Sequence, residues 1–373
     1  MKLSEITSII TDYVANGSFA SLRENAKYVS KEKGYARVIR LTDENNHYSL
    51  EDAIFVNYES YCFLSKSKLD SGDIIVTNVG AYLGTVFQCP NLNIPMTLGP
   101  NAILIKPNNL VINKYLYYLL NSNYGHRKLL SLISGSAMPK FNKTDLKNLN
   151  ISIHNKSLQH HIVNIMGTID DLIEKKQVEF NQKVKYLLLL FDKFETKNVS
   201  VLDNVFKTFS GGIFENKYYV DSSKHKLITI KNVDDDGFNT KNVSYLSKEK
   251  ANKKYLLSIG EMVLTMTGNI GRTGIVDEDE CYLNQRLLKL SSQSSSYLFA
   301  YLQKYKKEII QLGKGTAQLN LSLDDLKKLK VFNSYEEIVA FKKYDWIYNS
   351  LLNCKLVIKK AKQIKKILLS KYF

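Results

Sequence analysis

Residues 135–149 read GSAMPKFNKTDLKNL, and residues 315–329 read GTAQLNLSLDDLKKL. The frame Gly, hydroxyl residue, Ala, then Asp-Leu-Lys-x-Leu recurs 180 positions later in a chain of 373. Self-similarity at half the chain length means that one structural unit is used twice, and such a repeat outranks any local signal in assigning a fold. Two similar halves are able to engage two similar targets at a set separation.

Working outward, each half carries an earlier strand-like run that ends in a glycine turn. These are GDIIVTNVGAYLG (Gly72 to Gly84) and GEMVLTMTGNIG (Gly260 to Gly271), with Thr77 and Gly80 opposite Thr265 and Gly268. The offset here is 188, so the first half holds a loop insertion, and Pro90, Pro95, Pro100 and Pro107 lie in that stretch. Nearer the start, ARVIRLTDENN (Ala36 to Asn46) resembles LITIKNVDDDG (Leu227 to Gly237), each a β-rich run breaking into polar turn residues.

After each Asp-Leu-Lys-x-Leu segment the period changes. From Ser157 to Phe194 there is no Pro, and Ile162, Ile165, Ile169 and Leu172 step by three and four. Phe180, Val184, Leu187, Phe191 and Phe194 resume after an interruption at Lys176. A second run from about Glu336 to the C-terminus places Ile347, Leu351, Cys354, Ile358, Ala361 and Leu368 similarly. Such spacing is a coiled-coil seam, and a helix of about 40 residues is roughly 60 Å long. The expectation is an antiparallel helix pair sealed along Ile162, Ile169, Phe180, Leu187, Phe191, Ile347, Leu351, Ile358 and Leu368. Packing of each helix on its own domain is the alternative.

Composition bounds the rest. A hydrophobic content of 44% with 24% charged residues is globular, and the length suits two domains. The net charge of +16 favours polyanions, nucleic acid first among them, although an AT-rich genome also raises Lys content. Cys62, Cys89, Cys281 and Cys354 are scattered without Cys-x-x-Cys pairing, which argues against zinc and disulfides. MKLSEITSII does not read as a signal peptide, and no apolar run is long enough to span a bilayer. A cytoplasmic protein without membrane contact is expected.

Enzyme motifs fail when tested. There is no Pro-Pro for an amino-methyltransferase box and no Pro-Cys for a cytosine-C5 nucleophile. Gly313-Lys314-Gly315-Thr316 lacks the earlier glycine of a phosphate loop, since Glu308 stands there. Asn232 to Gly237 resembles the start of a calcium loop, but Val243 occupies the position of the bidentate Glu. Asp277 to Glu280 reads as a solvated acidic loop, and the six histidines show no metal-ligand spacing. No catalytic residue and no metal ligand is assigned.

Base edges in the major groove are read by Arg, Lys, Asn and Gln, while phosphate contacts set position. Candidates at repeat-related places are Tyr82, Lys140 and Asn142 in the first half and Arg272, Lys314, Gln318 and Asn320 in the second. Arg286 precedes a buried-looking strand, where the first half has only Asn101. Arg37, Arg40, Lys226 and Lys231 make the start of each half basic. The apolar and glycine skeleton is kept between copies while the polar residues change, as expected of one scaffold carrying two readers and equally of neutral drift.

Taken together, the duplicated layout, the Gly-Asp-Ile-Ile-Val-Thr…Gly run, Gly-Ser-Ala-Met-Pro-Lys-Phe-Asn before Asp-Leu-Lys-x-Leu, and Gln159 before the Ile-Val of the first long helix resemble the specificity subunits of type I restriction–modification systems. The resemblance implies an α+β fold: two similar mixed target-recognition domains, 1–150 and 196–332, joined by two long antiparallel helices, 151–195 and 333–373. It implies a non-catalytic subunit that reads a bipartite site on double-stranded DNA. Its implied partners are methyltransferase (modification) subunits and a restriction/translocase subunit. S-adenosylmethionine, ATP and Mg²⁺ are then expected on those partners and no cofactor on this chain. The rival expectations are a self-contained DNA methyltransferase or nuclease, and a protein-binding coiled-coil scaffold.

Overall fold

A computed structural model of the chain describes residues 1–134, 139–315 and 318–373. The centre of the Gly-x-Ala frame, Gly135 to Met138 in one copy and Thr316-Ala317 in the other, lies outside the described residues. The chain divides into two compact units, Met1–Asp171 with Lys362–Phe373, and Leu172–Ala361.

Each unit is built on two sheets. In the first, Thr7–Asp12, Ala102–Pro107, Ile74–Thr77 and Val86–Gln88 form an antiparallel sheet in that order. The second unit repeats it with Lys207–Ser210, Leu287–Ser291, Met262–Thr265 and Thr273–Ile275. Side chains alternate across a strand, so an apolar run of this length can serve two cores at once. Ile74 and Val76 enter the core under the helices, while Ile75 enters the core shared with the other sheet. Met262, Leu264 and Val263 divide in the same way.

The second sheet is five-stranded and also duplicated. Its order is Tyr28–Val29, Phe55–Val56, Ala36–Ile39, Met96–Leu98, Lys68–Leu69 in one unit. In the other it is Tyr219–Val220, Ser244–Leu246, Lys226–Ile228, Cys281–Leu283, Leu256–Leu257. One pair in each is parallel, Ala36–Ile39 with Met96–Leu98 and Lys226–Ile228 with Cys281–Leu283. The two-copy reading of the sequence therefore holds at the level of strand order and register.

The first long helix runs unbroken from Lys156 to Phe194. The expected interruption at Lys176 is no break: Lys176 and Lys183 pair with Glu179 at spacings of three and four, which supports a solvated stretch of helix. Its two ends are anchored in different cores. Ile162 and Met166 are fully buried in the first unit, and Leu187 and Phe191 in the second, where Phe180 and Val184 pack half-buried beside them. Ile169 is half-buried. Burial on the domains thus takes over much of what the seam was expected to do alone, because the globular cores offer more apolar surface than a partner helix.

The second run is not one helix from Glu336. Tyr335–Phe341 is helical, Lys342–Tyr344 makes a 3₁₀ turn, and a helix then spans Asp345–Tyr372. The break has a local cause. The Asp345 carboxylate accepts the Ser294 hydroxyl at 2.6 Å and the Ser296 N–H at 3.0 Å, capping the helix Ser295–Lys304, and the Tyr344 carbonyl accepts the Ser296 hydroxyl at 2.8 Å. Beyond it, Ile347 and Leu351 are fully buried, Ile358 is buried, and Leu368 packs on the first unit's core. Within each unit the two helix segments run antiparallel. His161 meets Tyr372 and Asp170 meets Lys365 in the first, and Phe191 meets Phe341 and Lys183 meets Ser350 in the second.

The acidic run Asp277 to Glu280 is not the solvated loop that the sequence suggests. Asp277 is nearly buried and pairs with Lys359 at 2.8 Å, while Glu278 holds Lys226 at 2.9 Å and Lys359 at 2.5 Å. Burial alone would raise the Glu278 carboxyl, but hydrogen bonds from Lys226, Lys359 and Thr240 outweigh it and hold the group at about 2, below its ordinary 4.5. A depressed carboxylate adds stability above its ordinary pKa, and that stability is lost as pH falls through the folded value. The thermal midpoint of the intact chain is therefore expected to fall between pH 4.5 and about 2 more steeply than that of Glu278→Gln. Parallel melting curves across that range would refute the clamp.

Candidate nucleic-acid interface

In each unit a buried threonine ends the central strand and organises a tight turn. The Thr77 hydroxyl donates to the Tyr82 carbonyl and accepts the Thr85 N–H at 3.1 Å. The Thr265 hydroxyl donates to the Asn269 carbonyl and accepts the Arg272 N–H at 3.0 Å. Gly80 and Gly268 sit within these turns at φ of +90° and +72°, a region that penalises a Cβ. Their N–H groups point at the loop that follows the later helices: Gly80 donates to Pro139 O at 3.2 Å and Gly268 to Leu319 O at 2.8 Å.

That loop closes as a clasp. Ser134 and Lys140 exchange backbone hydrogen bonds, as do Lys314 and Asn320. The next residue plugs the domain: Phe141 donates to Asn78 O and Leu321 to Met266 O, both side chains being buried. Asn78 and Met266 in turn donate to the carbonyls of Asn101 and Arg286. A short helix follows each plug, Lys143–Lys147 and Leu323–Lys327, anchored by fully buried Leu146 and Leu326. The Asp-Leu-Lys-x-Leu frame is therefore the latch that holds the clasp against the glycine turn.

Three hydrogen-bonded backbone levels, Asn101–Asn78–Phe141 and Arg286–Met266–Leu321, bring equivalent chain positions together at one rim of each unit. In the first unit this rim holds exposed Lys140 and Asn101, and the turn holds Tyr82, 66% exposed. In the second it holds exposed Arg286, Gln318 and Asn320, with Lys314 paired to Asp325 at 2.8 Å. Exposed Lys231 follows Ile230, whose side chain lies beside Gly268. Asn101 was visible in the sequence only as the partner of Arg286 in the repeat, and the shared backbone bond makes the two equivalent.

Other sequence candidates are engaged elsewhere. Arg37 is 2% exposed, donates to the carbonyls of Tyr48 and Ser49, and pairs with Asp43 at 3.3 Å. Its assignment as a DNA contact is corrected, because its guanidinium braces a turn inside the first unit. Arg40 pairs with Asp43 at 2.8 Å, Lys226 with Glu278, and Arg272 with Asp235 at 2.5 Å. Hydrogen bonding to Arg272 holds the Asp235 carboxyl below its usual range. Asn142 is exposed, but its side-chain oxygen accepts the Asp145 N–H at 2.8 Å as a helix cap. Among the described residues no cluster of three or more His, Cys, Asp or Glu is placed to hold a metal ion. None of the helices described is long and apolar enough to cross a membrane.

A family model described as type I restriction modification DNA specificity domain matches residues 10–186 and 195–332. The chain belongs to that family. As a specificity chain it is non-catalytic, and each matched segment takes in most of one copy of the sheet-and-clasp unit, the first running on along the long helix. The specificity subunit of the type I restriction enzyme MjaIX from Methanocaldococcus jannaschii is 28% identical over 148 residues, 38% of this chain. That match spans 33% of the relative's length. Among solved structures, the type I restriction-modification S subunit from M. genitalium superposes over 100% of this chain and 95% of its own, with a TM-score of 0.56 at 15% identity. The HsdS subunit from Thermoanaerobacter tengcongensis covers 100% and 95% with a TM-score of 0.36 at 14% identity. For this specificity-family chain the likeness to the M. genitalium subunit establishes the fold.

Proposed function

We propose that the chain reads a bipartite, asymmetric site on double-stranded DNA, one half-site per unit, through the two clasps. The observation that carries this is one backbone frame presenting different side chains: Lys140 and Asn101 in one copy, Asn320 and Arg286 in the other. Two rims of different donors on equivalent scaffolds suit two different half-sites. Joining the readers makes the second half-site an intramolecular encounter at high effective concentration, provided the gap fits. The long helices are then the element that sets the gap and docks the methyltransferase and restriction subunits. S-adenosylmethionine, ATP and Mg²⁺ belong to those subunits.

Adenine methylation mapped across the genome of cells expressing the chain with its modification partner is expected to show a split motif. A contiguous motif, or methyl transfer by the purified chain alone, would overturn the reading. Arg286→Ala is expected to relax preference at one base pair of one half-site by about 1–3 kcal/mol while leaving the other half-site intact. Competition binding against single-base variants of the mapped motif measures it.

A further inference from the structure

Outside the clasps, the segments that lead into the last strand of each five-stranded sheet, 58–68 and 247–255, form a layer of lysine and tyrosine. In the first unit Lys68 Nζ lies 4.4 Å from the centre of the Tyr61 ring, and Tyr61 stands against Tyr35 at 5.4 Å. In the second, Lys250 Nζ lies 4.3 Å from the Tyr218 ring and Lys254 Nζ 5.6 Å from the Tyr255 ring. Lys250, Lys253 and Lys254 are exposed, and 247–255 holds four lysines against the single acid Glu249. A lysine ammonium rests on a tyrosine ring in both copies; the first segment holds Lys66 and Lys68 beside Glu59, and the second is the more basic. An ammonium held by a ring stays solvent-facing yet loses little freedom when an anion arrives.

The layer is continuous with the clasp in the second unit. The Tyr255 ring packs on Gly212, where an added Cβ would meet it at 2.7 Å, and the Gly212 carbonyl accepts the Gln285 N–H at 2.8 Å, one residue before Arg286. Lysine is depleted from protein–protein interfaces, whereas lysine with tyrosine is usual where phosphates are held.

We propose that these two layers are phosphate ledges for duplex DNA, separate from the base-reading rims, so that affinity and sequence preference reside on different residues. The inference rests on the reading of the chain as a DNA-recognition subunit and adds where the backbone is gripped.

The test uses the full chain and the slope of log Kobs against log salt concentration on a random-sequence duplex. Lys250→Gln/Lys253→Gln/Lys254→Gln is expected to make the slope shallower by about 2–3, at about 0.9 for each phosphate left unneutralised. Its thermal midpoint and its preference for the mapped motif over random duplex should match the parent. The triple Lys→Arg variant should keep the parent slope. Lys197→Gln/Lys342→Gln, exposed in the same unit, serves as the control and should leave the slope unchanged. An unchanged slope in the ledge variant, or an equally shallow slope in the control, overturns the ledge. If Arg286→Ala loses preference while the ledge variant binds as the parent does, only the ledge fails. If the parent chain retains no duplex at low salt, the DNA reading itself fails and the ledge with it.

Discussion

Phe191→Ala is expected to lower the stability of the second unit by about 3–5 kcal/mol, the range for removing a fully buried aromatic side chain. Phe191 sits near the C-terminal end of the first long helix with no exposed surface, its ring centre 4.9 Å from Tyr297 and 6.3 Å from Phe341. It is therefore one of the residues, with Leu187 and Phe194, that pin the helix to the helix Ser295–Lys304 and to Tyr335–Phe341. The single tryptophan, Trp346, belongs to this unit, so urea unfolding followed by its fluorescence reports this unit and not the other. Phe373→Ala, half-buried beside Tyr115 in the first unit, should leave the tryptophan transition in place. A shift of less than about 1 kcal/mol for Phe191→Ala, well under the expected cost, would mean that the helix end is held by something other than that aromatic cluster.

Asp43→Ala should cost a comparable amount in the first unit. Arg37 and Asp43 are both about 2% exposed, and Asp43 also accepts the Arg40 N–H at 3.0 Å and the Arg40 guanidinium at 2.8 Å. Removing one partner of a buried pair strands the other charge without water, which costs about 3–5 kcal/mol. Replacing both by apolar residues of similar volume, Arg37→Met with Asp43→Leu, is expected to recover only part of the loss, because the stranded charge is gone but the Tyr48 and Ser49 carbonyls and the Arg40 N–H lose their partners. Hydrogen exchange over residues 36–56 would separate the two outcomes. Equal protection in Asp43→Ala and the parent would show that the Asp43 carboxylate does not hold the turn.

The contrast between Arg37 and Arg286 shows where sequence reading stops. Both are arginines at the edge of an apolar run, and composition treats them alike. Arg37 faces inward because the turn at Tyr48 and Ser49 folds back and offers two carbonyls. Arg286 faces outward because its backbone carbonyl is committed to Met266 while its side chain stays exposed. Asp277 to Glu280 went the same way: an acidic run looks solvated until Lys359, more than 80 residues later, is brought against it.

The duplicated frame was legible because repeats are a property of letters, and a glycine at positive φ or a leucine latch leaves its letter behind in both copies. From those letters came the two-unit architecture and the helices that follow each unit. Tertiary structure alone decided which polar residues share a rim, which are locked in ion pairs, and where the second helix breaks at Lys342–Tyr344. The reason is that each of these outcomes depends on a partner distant in sequence, and no local pattern of residues encodes a neighbour that only the folded chain supplies.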